Sequence, residues 1–109
     1  MYRIIIADHF DAAHRLPGVE VCQYLHGHTW KVVVVVESDK LNDKGMVVDF
    51  REIKKAWKEF DHNDLNKFFE MPTAENIAEY IYDDLQARAI LVVSVTVWES
   101  PNSCVEYFE

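Results

Sequence analysis

Two histidines separated by one glycine, in His26-Gly27-His28, stand in a stretch whose alternating residue types are typical of a β-strand. Residues i and i+2 of a strand point to the same face, so both imidazoles are expected on one side of the sheet. His14 lies on the predicted neighbouring strand. Three imidazoles from two strands suit Zn²⁺ and leave a fourth tetrahedral position open, as in catalytic zinc sites. Any one of them is most simply an ordinary strand histidine, but three on compatible faces favour a metal.

Cys22 lies four residues before His26 and leaves two kinds of zinc site open. As a fourth ligand it would close a structural Cys-His₃ site, whereas outside the coordination sphere its thiol would be free for chemistry. A structural zinc site needs no further acid or base. The presence of other ionisable residues that could act as acid or base therefore decides between a structural and a catalytic site. The second cysteine, Cys104, is interpreted as a small core residue of the last strand.

Asp61 and His62 are adjacent at a predicted break between helices. A carboxylate beside an imidazole can raise the pKa of the imidazole and make a general acid or base near neutral pH, although adjacent side chains do not simply face each other. The simpler interpretation is a solvated histidine at a helix end. His9, which is out of phase with His14, is interpreted as a bystander.

Glu99 follows the apolar end of a predicted strand. Its carboxylate could accept two parallel hydrogen bonds from a guanidine-like edge such as that of a pterin or guanine. It could equally be a surface charge at the end of the strand.

Four stretches with the periodicity of β-strands would position these residues, at 2–16, 26–37, 90–99 and 103–108. Two helices are predicted between the second and third strands. The first begins at Asp49, which forms a capping-box pattern with Glu52. Its predicted apolar face is Phe50, Ile53, Trp57 and Phe60, while Lys54, Lys55 and Lys58 are expected to face water.

The second helix is predicted to begin after Thr73 as N-cap and to end near Arg88, with Ile77, Ile81 and Leu85 buried. The order ββααββ predicts a single α+β domain over residues 1–109, in two layers, with a four-stranded antiparallel sheet and both helices on one face. Such a sheet leaves two edges and an uncovered valine-rich face. Self-association is therefore expected.

The charge of the chain argues against one class of partner. The 109 residues include 11 Lys and Arg against 19 Asp and Glu, a formal net charge of −8, so a nucleic-acid binder that coats phosphates is not expected. No apolar run approaches the length of a membrane span, and the first residues lack the pattern of a secretion signal. We expect a soluble cytoplasmic protein with no membrane partner.

Six motifs together resemble the 6-pyruvoyl-tetrahydropterin synthase family, and more closely its 6-carboxy-tetrahydropterin synthase branch. They are ordered along nearly the whole chain, as FDAAHRL at 10–16, CQYLHGH at 22–28, GMVVDF at 45–50, FDHNDLN at 60–66, PTAEN at 72–76 and WE at 98–99. The resemblance implies the tunnelling fold, in which trimers close their sheets into a barrel and two trimers stack into a hexamer. Active sites then lie at subunit boundaries.

The resemblance also implies roles for individual residues. His14, His26 and His28 would hold Zn²⁺, and Cys22 would be the catalytic thiolate. Asp61 with His62 would be a second proton-transfer pair, supplied across the subunit interface. Glu99 would anchor the pterin ring, and Thr73 and Ala74 would line its pocket.

The implied substrate is 7,8-dihydroneopterin triphosphate, with zinc acting as a Lewis acid while protons move on the side chain and triphosphate leaves. The carboxy-forming branch also releases acetaldehyde and leaves 6-carboxy-5,6,7,8-tetrahydropterin, an intermediate toward the 7-deazaguanine (queuosine-type) nucleosides of tRNA. The tRNA itself would not be bound. Candidate partners for the triphosphate are Arg15, Lys31, Arg51 and Lys67.

Three residues between Cys22 and His26 resemble the carboxy-forming branch. Gln23 stands where another branch has a glutamate, and glutamine cannot act as a base. The alternatives are a 6-pyruvoyl-tetrahydropterin synthase or another dihydroneopterin-processing enzyme of the family. An alternative of another class, a non-catalytic pterin-binding zinc module, would require Cys22, Asp61 and His62 to be spectators.

Overall fold

Two strands of 13 residues each, β1 (Tyr2–His14) and β2 (His26–Ser38), form the longest pairing of the fold. The computed structural model describes all of residues 1–109. β1 and β2 pair antiparallel along their whole length, from Tyr2 opposite Ser38 to His14 opposite His26. β-Branched residues fill much of both strands, which favours this extended pairing.

The remaining strands are β3 (Asn63–Asp64), β4 (Val92–Ser100) and β5 (Ser103–Phe108), in the spatial order β3-β1-β2-β4-β5. The four predicted strands are therefore confirmed as an antiparallel sheet, and a fifth is added at its edge. β3 pairs parallel with β1 at Ala12 and Ala13. Two residues are too few to show a periodicity, and Asn and Asp are typical of turns, so the sequence did not predict β3.

Both helices, α1 (Phe50–Lys54) and α2 (Ala74–Ala87), lie on one face of the sheet and complete the predicted two-layer α+β fold. The Thr73 hydroxyl caps α2 by accepting a hydrogen bond from the backbone N–H of Asn76 at 3.1 Å. Ile77, Ile81 and Leu85 of α2 are fully buried. They belong to one core cluster together with the alternate residues Trp30, Val32 and Val34 of β2.

α1 is shorter than predicted. Asp49 caps it as expected, accepting a hydrogen bond from the backbone N–H of Arg51, but the helix ends at Lys54. Trp57 has a φ of −129°, so the chain leaves helical geometry before the separate 3₁₀ turn that follows. The predicted apolar face is therefore not continuous. Trp57 is buried, whereas Phe50 is 57% exposed and its predicted burial is wrong.

The second face of the sheet carries apolar side chains that no element of the chain covers. Ile5 lies opposite Val35, and the same cross-strand row continues through the buried Ser94 to Phe108. Ile5 and Phe108 are each 65% exposed. Cys104 is exposed as well, so its interpretation as a core residue is wrong, because Val105 and Tyr107 are the residues of β5 that pack against the core. Neither α1 nor α2 is long and apolar enough to cross a membrane.

Candidate metal centre and active site

Three imidazoles meet where β1 ends and β2 begins, because His14 pairs with His26 and His28 lies two residues further along β2. The ring centroid of His14 is 4.6 Å from that of His26 and 5.1 Å from that of His28. Their ligand nitrogens all lie within 4.8 Å of one another. The structure thus brings together the three histidines that the sequence singled out.

Backbone carbonyls determine which ring nitrogens are available. The Nδ1 of His14 donates to the carbonyl of Pro72 at 2.8 Å, and the Nδ1 of His26 donates to the carbonyl of Tyr24 at 2.7 Å. A hydrogen bond from Nδ1 to a carbonyl orients a metal-binding histidine, because it leaves the lone pair of Nε2 free to bind the metal. The Nε2 atoms of His14 and His28 are buried and have no hydrogen-bond partner. These residues therefore fit Zn²⁺, which three imidazoles and an open position suit.

Burial lowers the pKa of His28, and this effect outweighs the neighbouring Glu99 carboxylate, which raises it. The nearby His14 and His26 lower the pKa of His28 further. A lowered pKa keeps the imidazole neutral, which is the state that binds a metal.

Cys22 lies outside this cluster. It is partly buried in a 3₁₀ segment, Glu20–Gln23, which is tied to the end of β1 by a hydrogen bond from the N–H of Leu16 to the Cys22 carbonyl at 2.6 Å. Its sulfur is not in the group of donor atoms that lie within 4.8 Å of one another. Of the two zinc sites that the sequence left open, the geometry favours the three-histidine site.

Glu99 borders the cluster from β4. Its Oε1 lies 3.7 Å from Nε2 of His28, and its side chain is 36% exposed. The pairing of β4 with β5 is irregular between Trp98 and Ser100, which is the kind of bulge that redirects a side chain. Glu99 and His28 line one recess together with Lys31. Glu99 is therefore next to the candidate metal centre and is not an isolated charge at a strand end.

Asp61 and His62 do contact each other, contrary to the expectation for adjacent side chains. Nδ1 of His62 lies 3.0 Å from Oδ2 of Asp61. The reason is backbone conformation, because His62 has a φ of +59°, a left-handed geometry that turns the two side chains together. Both side chains are open to solvent, at 46% exposure for Asp61 and 80% for His62.

Asp11 holds this pair against β1, and sequence reasoning missed it. Its N–H donates to Oδ1 of Asp61 at 3.0 Å, and its carbonyl accepts from the N–H of His62 at 2.6 Å. The Asp11 N–H, followed by the His62 side chain, lowers the pKa of Asp61, so this carboxyl stays ionised. The available signal was the position of Asp11 in the FDAAHRL motif, three residues before His14.

Within one chain, the pair of Asp61 and His62 and the candidate metal centre are separate but adjacent. His28 and His62 line one shallow recess, next to Gly27, which has no side chain to fill it. Thr73 and Ala74 do not reach the recess of Glu99. The Thr73 hydroxyl is engaged in capping α2, and Ala74 is buried beside it.

Comparisons with known proteins find relatives along nearly the whole chain. The family model described as 6-pyruvoyl tetrahydropterin synthase matches residues 3–109. A dihydroneopterin monophosphate aldolase of Pyrococcus furiosus is 39% identical over 111 residues, covering 95% of each chain. The 6-carboxy-5,6,7,8-tetrahydropterin synthase of Bacillus subtilis is 33% identical over 111 residues, covering 92% of this chain and 72% of the relative.

Among solved structures, the 6-pyruvoyl tetrahydropterin synthase of Caenorhabditis elegans superposes with a TM-score of 0.80 at 26% identity. The match covers 99% of this chain and 95% of that one. The Plasmodium vivax protein of the same name has a TM-score of 0.72 at 19% identity, which shows a shared fold.

Proposed function

The chain belongs to the 6-pyruvoyl tetrahydropterin synthase family, and from this premise we propose that it is a zinc-dependent 6-carboxy-5,6,7,8-tetrahydropterin synthase. It converts 7,8-dihydroneopterin triphosphate to 6-carboxy-tetrahydropterin with release of triphosphate and acetaldehyde. The observation that carries this proposal is the cluster of His14, His26 and His28, with its unpartnered Nε2 atoms beside the Glu99 carboxylate. The product suits the route toward 7-deazaguanine nucleosides.

His14, His26 and His28 hold the zinc ion through Nε2. When bound, the ion supplies Lewis-acid polarisation of the side-chain oxygens of the substrate. Glu99 orients the pterin ring by accepting two parallel hydrogen bonds from its guanidine-like edge. Its position 3.7 Å from His28 supports this role, because the ring is then held next to the metal centre.

Cys22, as thiolate, takes a carbon-bound proton from the substrate side chain. Its place outside the histidine cluster supports this role, since a thiolate bound to the metal would not be free to act as a base. Asp61 keeps His62 oriented and His62 moves a second proton. The exposure of this pair supports a role at the site of a neighbouring subunit, across a trimer interface.

A second candidate function is that of a dihydroneopterin monophosphate aldolase. The Pyrococcus furiosus relative of that name favours it, because it is as much as 39% identical and matches along 95% of both chains. The same histidines and the same pterin anchor would serve either reaction.

Product analysis tests the proposal. Zinc-loaded protein is incubated separately with 7,8-dihydroneopterin triphosphate and with the monophosphate, and the pterins and aldehydes are identified by mass spectrometry. We expect 6-carboxy-tetrahydropterin, acetaldehyde and triphosphate from the first substrate. A pyruvoyl product without acetaldehyde would indicate the 6-pyruvoyl enzyme, and side-chain cleavage of the monophosphate alone would indicate the aldolase. Pterin binding without turnover would leave a non-catalytic zinc module.

A further inference from the structure

A second recess, with a volume of about 480 Å³, lies between β1 and the segment around α1. This volume is in the range of small-molecule sites. Four cationic side chains line it, namely Arg51, Lys54, Lys55 and Lys58. In a chain with a net charge of −8, this concentration of positive charge is unusual.

Two of the four cations have no carboxylate partner. Arg51 is paired with Asp49, and Lys55 with Glu52 at 2.8 Å. Lys54 and Lys58 form no ion pair, so their ammonium groups are free to bind a ligand.

The two carboxylates that line the recess are already engaged. Asp8 accepts a hydrogen bond from Nε1 of Trp57 at 3.0 Å, and Asp61 accepts one from the N–H of Asp11 at 3.0 Å. These N–H donors offset part of each negative charge. Cations gathered in one concavity repel each other and raise the local concentration of anions. Lysine ammonium groups are strong ligands for phosphate oxygens.

We propose that this recess, which we term the basic recess, binds an oligophosphate through Lys54 and Lys58. On the proposed function, on which this inference rests, the oligophosphate is the triphosphate chain of the substrate.

The position of the basic recess connects it to the chemistry. Asp61 lines it and also orients His62, so a substrate whose side chain meets His62 has its phosphate end next to these lysines. His9, interpreted from the sequence as a bystander, lines both the basic recess and the recess of Glu99. Of the four cations that the sequence suggested for the triphosphate, only Arg51 lines the basic recess. Lys31 lines the recess of Glu99 instead.

The test compares two double variants of the zinc-loaded protein. K54Q/K58Q removes both free charges of the basic recess, and K40Q/K44Q removes the same charge from an exposed loop outside it. The probe is inorganic triphosphate, titrated by calorimetry at low ionic strength. Because each exposed charge contributes modestly, we expect K54Q/K58Q to bind about five- to thirty-fold more weakly and K40Q/K44Q to bind like the wild type.

Parallel titrations identify the source of the phosphate. Dihydroneopterin without phosphate should bind equally to both double variants, and the KM for the triphosphate substrate should rise in K54Q/K58Q alone. Equal triphosphate affinity in both double variants, or none in the wild type, would overturn the proposal. The wild type could fail to turn over any dihydroneopterin phosphate while K54Q/K58Q still bound triphosphate more weakly. That result would refute the proposed enzyme function, but the basic recess would remain an oligophosphate site.

Discussion

The hydrogen bonds that His14 and His26 donate through Nδ1 distinguish these proposed metal ligands from Cys22, the proposed base. Both rings are fixed by backbone carbonyls, so their Nε2 atoms point into the cluster without help from Cys22. Truncating a metal ligand should therefore change the zinc content, whereas truncating a base should change only the turnover.

Replacing Cys22 by alanine should reduce turnover by at least a hundredfold and leave the zinc content unchanged, because the change removes a proton acceptor and no ligand. His26→Ala should lose both zinc and activity. Metal analysis of the purified variants, together with the product assay, measures the two effects. If Cys22→Ala kept nearly full activity, Asp61 and His62 would have to supply the base alone.

Replacing Glu99 by glutamine should weaken pterin binding by roughly 30- to 1000-fold without loss of zinc. The amide sets a donor against a ring donor and removes a charge-assisted hydrogen bond, which costs on the order of 2–4 kcal/mol. Titration of the non-reactive pterins biopterin or sepiapterin by calorimetry measures the affinity. Glu106→Gln on the exposed side of β5 is the matched control. Equal affinities in the two variants would remove Glu99 from the site.

At the scale of the elements, the N-caps of both helices were predictable from the sequence, but the length of α1 was not. Asp49 and Thr73 cap their helices as predicted, because a cap depends on residues only two or three positions apart. The carboxylate of Glu52 does not complete the predicted capping box with Asp49, because it pairs with Lys55. The end of α1 depends on the non-helical φ of Trp57, and the contact of Asp61 with His62 depends on the positive φ of His62. Both angles accompany contacts with distant parts of the chain, because Trp57 is buried in the core and the N–H of His62 is bonded to the carbonyl of Asp11.

The Asp49 cap should make the stability of the fold depend on pH. Hydrogen bonds from the side chain and then the backbone of Arg51 hold the pKa of Asp49 at about 2, below its ordinary value. A depressed pKa means that the stabilisation is complete above about pH 4 and is lost as the pH falls toward 2.

Asp49→Asn keeps the capping oxygen but has no charge to lose. Its unfolding midpoint should therefore lie below that of the wild type at pH 7, and the difference should shrink as the pH falls below 4. Urea unfolding at several pH values, at low salt, measures this, with Asp39→Asn as the control for an exposed carboxylate. A difference that did not change with pH would mean that the ionised carboxylate contributes nothing.

At the scale of the whole molecule, the uncovered face predicts assembly. Ile5, Val35 and Phe108 are the apolar members of one cross-strand row, which also contains Ser94, and the outer edge of β5 has no partner strand. Barrel closure would pair the edges and cover this row. The sequence predicted an uncovered face from the element order, but not the basic recess, because a net charge of −8 carries no information on where individual lysines meet.

Light scattering at micromolar concentration should give a mass close to six times the 12.8 kDa of one chain. Phe108→Asp should reduce that mass, because it replaces an exposed apolar side chain of the uncovered face by a charge, whereas Glu106→Gln should not. A monomeric wild type would be incompatible with sites shared between subunits.

On the proposed function, the two buried Nε2 atoms, of His14 and His28, would link folding to the supply of metal. A buried polar atom without a partner costs about 1–3 kcal/mol, and an ion bound only by the folded chain stabilises it by about 2.7 kcal/mol when its concentration is a hundred times Kd. A chelator should therefore lower the thermal midpoint of the wild type, and added zinc should restore it, with no such response in His26→Ala. An unchanged midpoint would contradict this linkage. Zinc scarcity would thus deplete the protein as well as its activity, because empty chains unfold more often and are exposed to proteolysis.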